Sequence, residues 1–68
     1  MISPDFERGY RAGWLDYRLA RRLVTAWTDG TVYGAGYRAG QVDAEHTPYG
    51  ARTWRDGLTR RARRKEAA

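Results

Sequence analysis

The chain has 68 residues, with 13 Lys and Arg against 8 Asp and Glu, and its formal net charge at pH 7 is +5. This length favours one small helical domain, 1–68, whose core alone rarely contributes more than about 3–5 kcal/mol, so we expect a partner subunit. The lack of cysteine excludes disulfides and thiolate metal sites. No apolar run of about 18 residues and no secretion signal are present, which predicts a cytoplasmic protein without a membrane span.

The first predicted helix covers about 4–27. Ser3 and Pro4 form a helix start, because serine accepts hydrogen bonds from free amides and proline fits the first helical position. An aromatic face follows at helical spacing: Phe6, Tyr10, Trp14 and Tyr17. Leu15, Leu19 and Leu23 form a second apolar stripe beside this face.

A short break at residues 28–31 separates the first two predicted helices. Gly30 can adopt the left-handed conformation that ends a helix, and Thr31 can cap the next helix, which covers about 31–46. Because the break is short, we expect these two helices to form an antiparallel hairpin.

A second break, His46 to Gly50, precedes a third, basic helix over about 51–65. Trp54 and Leu58, four residues apart, are expected to dock this helix on the hairpin. Beyond Leu58 little apolar surface remains, so residues 59–68 are either the end of the helix or a frayed basic tail. The sequence therefore predicts an all-α fold.

The net positive charge is confined to the C-terminal part of the chain. Residues 1–50 hold six arginines and six acids, whereas residues 51–68 hold seven bases and two acids. Blocks of like charge often bind anionic partners. The candidate phosphate-contacting residues are Arg52, Arg55, Arg60, Arg61, Arg63, Arg64 and Lys65.

An eight-residue motif occurs twice, at an offset of 27 residues: residues 9–16 read GYRAGWLD, and residues 36–43 read GYRAGQVD. Each glycine inside a helix costs about 0.5–1 kcal/mol relative to alanine, so close packing must offset the cost. Two glycines one turn apart form a flat groove that another backbone can approach. The candidate packing or interface residues are Gly9, Gly13, Gly36, Gly40, Tyr10, Tyr37, Trp14, Asp16 and Asp43.

An aspartate closes each copy of the motif, and neither Asp16 nor Asp43 has a basic residue four positions later. This matched pair predicts hydrogen bonds between helices or between subunits, to a tyrosine or an arginine of the other copy. Two carboxylates alone rarely hold a metal ion, so we expect no metal and no cofactor.

Several kinds of chemistry are disfavoured by the residues present. The single histidine, His46, and the single serine, Ser3, do not make a nucleophilic site, and we expect a protein that is not an enzyme. Ala26 and Gly30 have the spacing of a helix-turn-helix, but Gly36 stands where that motif needs a buried aliphatic residue.

The pattern aromatic-xx-Gly-Tyr-xx-Gly-xx-Asp, in residues 6–16 and 33–43, resembles that of short, uncharacterised open reading frames of actinobacteriophages and their hosts. The resemblance implies a small phage-type accessory protein that acts in the bacterial host cell and engages a host factor. It implies no site residues.

Two functions follow as hypotheses. The first is a protein-interaction module, because tyrosine and tryptophan anchor many interfaces; we expect a homodimer, or a complex with a host or phage protein. The alternative is sequence-nonspecific nucleic-acid binding, in which the arginines of the third helix neutralise phosphates.

Overall fold

The computed structural model describes residues 2–20, 30–47 and 53–67, and these residues form three helices and no strand. The helices are α1 (Pro4–Ala20), α2 (Val32–Glu45) and α3 (Trp54–Ala67). The predicted all-α class with three helices is confirmed. Residues 21–27 of the first predicted helix lie outside the described residues, as do residues 51 and 52 of the third.

The first two helices begin where their capping residues predict. The amide of Phe6 donates to Oγ of Ser3 at 3.2 Å, and the amide of Gly34 donates to Oγ1 of Thr31 at 2.9 Å. Gly30 precedes this second cap with a φ of +86°, in the left-handed region that favours glycine.

A reciprocal cap that the sequence analysis missed begins the third helix. The amide of Asp56 donates to Oγ1 of Thr53, and the amide of Thr53 donates to Oδ2 of Asp56, both at 3.4 Å. From this cap α3 continues to Ala67, through most of the segment that the sequence left as either helix or frayed tail.

Helices α1 and α2 pack closely and run in the same direction. The backbone beside Gly9 is that of Tyr33, and the backbone beside Gly13, one turn later, is that of Tyr37. The residue numbers of contacting positions therefore increase together along the two helices. In an antiparallel pair, the numbers would increase along one helix and decrease along the other. The antiparallel orientation expected from the sequence is wrong.

The connection between the two helices explains this difference. Eleven residues, 21–31, lie between Ala20 and Val32. Fully extended, they reach about 36 Å, whereas the 17-residue α1 is about 25 Å long. The chain can therefore return from the end of α1 to the beginning of α2. At the other end of the pair, Nη2 of Arg18 donates to the carbonyl of Thr47 at 3.3 Å.

The third helix lies across the α1–α2 pair and completes the core. Tyr10, Trp14, Ala44 and Leu58 form the buried cluster, and Trp54 packs against it. Trp54 and Leu58 thus dock α3 as predicted.

The second apolar stripe of α1 stays outside this core, with Leu15 46 % and Leu19 87 % exposed. Among the described residues, no helix is both long and apolar enough to cross a membrane.

Candidate functional site

The two copies of the sequence motif form equivalent halves of the α1–α2 pair. Gly9 lies against the carbonyl of Tyr33, and its counterpart Gly36 lies against the carbonyl of Phe6, which is the counterpart of Tyr33. A Cβ atom at either glycine would overlap that oxygen. The repeat therefore has an approximate twofold axis that runs along the helices.

The second glycine of each motif repeats this arrangement. Gly13 faces the carbonyl of Tyr37, and Gly40 faces the carbonyl of Tyr10. Each of these glycines directs a Cα hydrogen at a carbonyl oxygen, a weak contact that recurs at close helix interfaces. Close backbone packing of this kind is what offsets the cost of glycine inside a helix.

Each motif also supplies one tyrosine and one aspartate to a pair of hydrogen bonds between the helices. The hydroxyl of Tyr10 donates to Oδ2 of Asp43 at 2.7 Å, and the hydroxyl of Tyr37 donates to Oδ2 of Asp16 at 2.5 Å. These bonds exchange places under the twofold relation. The prediction that the two aspartates bond to the other copy is confirmed, and both bonds lie within one chain.

The third helix breaks this symmetry by binding only one of the two aspartates. Nη2 and Nε of Arg61 donate to the two carboxylate oxygens of Asp43, at 2.8 and 3.0 Å. The side chain of Asp43 is 14 % exposed and that of Arg61 34 %. Asp16, by contrast, is exposed, and Tyr37 is its hydrogen-bond partner among the described residues.

The ion pair shifts the pKa of both of its members. Burial opposes the ionisation of Asp43, but hydrogen bonds from Arg61 and Tyr10, together with the charges of Arg61 and Arg64, outweigh it and lower the pKa of Asp43. The hydrogen bond to Asp43 raises the pKa of Arg61. Both groups therefore stay charged near neutral pH, and α3 is held to the helix pair by a bidentate ion pair.

The two tyrosines of the repeat favour their neutral form. Burial, the hydrogen bond to Asp16 and the charge of Asp16 raise the pKa of Tyr37 to about 12. Burial and the bond to Asp43 raise the pKa of Tyr10 further. Both hydroxyls therefore act as hydrogen-bond donors over the ordinary pH range.

Most of the residues predicted as packing or interface residues are used inside the chain. The four motif glycines, Tyr10, Tyr37 and Trp14 are buried, so they pack helices rather than meet a partner. Gln41, at the first position where the two motifs differ, is also buried, with 2 % exposed.

The basic residues of α3 form a charged surface on the side of the helix that faces solvent. Its sequence holds six bases and two acids. Four exposed arginines of this helix form no ion pair with a described acid: Arg55, Arg60, Arg63 and Arg64. Of the other predicted phosphate contacts, Arg61 is paired with Asp43, the side chain of Lys65 is not described, and Arg52 lies outside the described residues. We call the four exposed arginines the arginine face.

One arginine of this face has a defined stacking contact. The guanidinium of Arg55 lies 5.3 Å from the centre of the Trp54 ring, and that of Arg11, from α1, lies 5.5 Å from it. The contact of Arg11 ties the first turn of α3 to α1, whereas that of Arg55 lies within α3. Within the described residues there is no group of three or more potential metal ligands.

Comparison of the chain with protein-family models, with curated proteins and with solved structures finds no match. The geometry of the described residues is therefore the basis for a functional proposal.

Proposed function

We propose that this protein binds nucleic acid through the arginine face of α3, by contacts to phosphates and without reading the base sequence. The observation that carries the proposal is that one arginine of α3 is paired with an acid while four others are exposed. Arg61 is held by Asp43 and fixes the helix on the body. The four arginines of the face are exposed and free of described acids, and guanidinium groups suit phosphate oxygens.

The same geometry weakens the protein-interaction hypothesis that the sequence favoured. That hypothesis relied on tyrosines, tryptophans and glycine grooves, and Tyr10, Tyr37, Trp14 and the four motif glycines are buried between the helices of one chain. Arg60, Arg63 and Arg64 form no ion pair with a described acid, so their charges are available to a nucleic-acid partner.

The proposal predicts a strong dependence of affinity on salt. Each neutralised phosphate of a duplex changes the slope of log K against log salt by about −0.9, so four contacts give a slope of about −3.6. Fluorescence anisotropy with a labelled oligonucleotide of arbitrary sequence, from low to physiological salt, measures this slope. Undetectable binding at low salt would overturn the proposal.

A charge-matched pair of double variants separates the arginine face from net charge. In one, Arg60→Gln and Arg63→Gln remove two charges from α3; in the other, Arg8→Gln and Arg38→Gln remove two exposed charges from α1 and α2. We expect the first variant to reduce the salt slope by about 1.8 and the second to leave it nearly unchanged. Equal effects of both variants would mean that net charge, not the face, determines binding.

Self-association is a second candidate, favoured by the exposed stripe of Leu15 and Leu19. These side chains lie four residues apart on α1, as apolar anchors of a helix interface do. Light scattering during gel filtration would then give a dimer for the wild type and a monomer for Leu19→Gln. Val32→Gln, a change at another half-exposed apolar residue, is the control. A wild-type monomer at high concentration contradicts this candidate.

Either activity fits a small phage-type accessory protein that is not an enzyme, and this remains a prediction from the resemblance of the repeat.

A further inference from the structure

An open groove of about 990 Å³ lies along the seam between α3 and the helix pair. Its apolar lining includes Ile2 and Phe6 from the start of α1 and Val42 from α2, while Arg60 and Arg64 line it from α3. The volume lies at the upper end of the range of small-molecule pockets, about 300–1,000 Å³. The groove thus combines an apolar wall with two guanidinium groups.

The groove keeps a positive charge from Arg60 and Arg64 after Asp43 has neutralised its third arginine. Arg61 also lines the groove, but Asp43 offsets its charge. Arg60 and Arg64, one helical turn apart, are exposed and form no ion pair with a described acid. Arg64 is close enough to Asp43 to lower the pKa of that carboxyl group, which places its charge at the groove. The complementary ligand is an anion that carries a flat apolar body.

We propose that the groove holds an unstacked base of a single-stranded nucleic acid while Arg60 and Arg64 contact the adjoining phosphates. This inference rests on the proposed nucleic-acid function and adds a preference for the form of the strand. In a duplex the faces of the bases are stacked, so a duplex can offer only its phosphates to the arginine face. A single strand exposes base faces, which stack on aromatic side chains irrespective of sequence. Phe6, half-buried in the lining, is the aromatic residue positioned to receive one.

The ligands that test this inference differ only in their bases. A labelled thymine 12-mer, a strand of the same length with abasic sites, and a duplex of matched length are titrated by anisotropy at one salt concentration. We expect the single strand to bind about tenfold more tightly than the abasic strand, which is the loss typical of one stacked base.

Two variants at one position test the role of the aromatic ring. Phe6→Leu keeps an apolar side chain but removes the flat ring, and we expect it to lower the affinity for the single strand about tenfold without changing the affinity for the duplex. Phe6→Tyr keeps the ring and should bind as the wild type does. Circular dichroism verifies that both variants are folded, and the abasic strand tests the inference on the wild type even if the Leu variant unfolds.

The possible results separate this inference from the proposed function. Equal affinity for the single strand, the abasic strand and the duplex, with no effect of Phe6→Leu, would overturn the inference and leave phosphate binding by the arginine face intact. Absence of binding to all three ligands at low salt would overturn both. Tight binding of the single strand that both Phe6 variants retain would place the base elsewhere and also overturn the inference.

Discussion

The pairs Tyr10–Asp43 and Tyr37–Asp16 are the same hydrogen bond formed twice by equivalent residues, but only the first is covered by a third helix. At the first pair, Arg61 adds two hydrogen bonds to the carboxylate, and Gly57 of α3 lies against the tyrosine hydroxyl. At the second, the carboxylate is exposed. The repeated motif therefore makes α1 and α2 a symmetric pair. The basic helix α3 breaks this symmetry because it binds Asp43 and not Asp16.

The largest expected effect comes from disrupting the close packing of α1 and α2, on which both hydrogen-bonded pairs depend. Gly40→Ala places a Cβ against the carbonyl of Tyr10, and Gly13→Ala does the same at the carbonyl of Tyr37. Overpacking costs about 1–3 kcal/mol and occasionally more, a large part of the about 3–5 kcal/mol expected of a domain this small. We expect both variants to lose similar and large amounts of helical circular dichroism signal at 25 °C.

Gly30→Ala is the control for these substitutions, because a Cβ at Gly30 meets no atom within 4 Å. Its cost is the left-handed backbone alone, about 1–2 kcal/mol. A Gly40→Ala variant that is as stable as the wild type in urea would contradict the close packing of the two helices.

The next effect distinguishes the two aspartates. Asp43→Asn weakens a half-buried network and leaves Arg61 without its counter-charge, so we expect a loss of about 2–3 kcal/mol in the free energy of unfolding. Asp16→Asn alters one exposed carboxylate and should cost about 1 kcal/mol or less. Urea unfolding at pH 7 measures both. Equal losses would mean that α3 does not distinguish the two sites.

The contribution of Asp43 to stability should also depend on pH. The pKa of Asp43 is below its usual value of 3.8 in the folded chain. Its contribution to stability is therefore complete above the unfolded pKa and is lost as the pH falls through the lower folded pKa. Urea midpoints measured between pH 6 and pH 2 should fall less steeply below about pH 4 for Asp43→Asn than for the wild type. A curve for Asp43→Asn that matches the wild type would contradict this prediction.

The smallest effect is spectroscopic and concerns Tyr37, the buried tyrosine that bonds to the exposed Asp16. The pKa of Tyr37 is raised from 10.0 to about 12, so the bond to Asp16 stabilises the fold below pH 10 and is lost as the pH rises from 10 towards 12. Absorbance of the phenolates at 295 nm follows the titration. Tyr37→Phe should remove one late-titrating phenol; an unchanged late phase would contradict the assignment.

Some features of the structure are readable from particular residues of the sequence. Ser3 and Thr31 cap helices because their hydroxyls accept amide hydrogens locally. The unpaired aspartates at equivalent positions indicated bonds between the two copies, since a helix offered them no partner of its own. These signals depend on short-range chemistry or on the repeat, and both are visible in one sequence.

Other features depended on information that a local pattern does not carry. The parallel direction of α1 and α2 is shown by backbone contacts between residues far apart in the chain, at Gly9, Gly13, Gly36 and Gly40. The choice of Arg61 among the basic residues of α3 follows from where Leu58 and Gly57 seat the helix on Tyr10 and Trp14. Neither the composition of α3 nor the spacing of its residues distinguishes Arg61 from the neighbouring arginines; the position of α3 on the helix pair does.

The asymmetry between the two pairs is tested most directly by two double-mutant cycles. One combines Asp43→Asn with Arg61→Gln, and the other combines Asp16→Asn with Arg61→Gln, with stability measured by urea unfolding at pH 7. We predict a coupling of about 1–3 kcal/mol in the first cycle and additivity within about 0.5 kcal/mol in the second. Equal couplings in the two cycles, or none with Asp43, would contradict a third helix that binds one side of a symmetric pair.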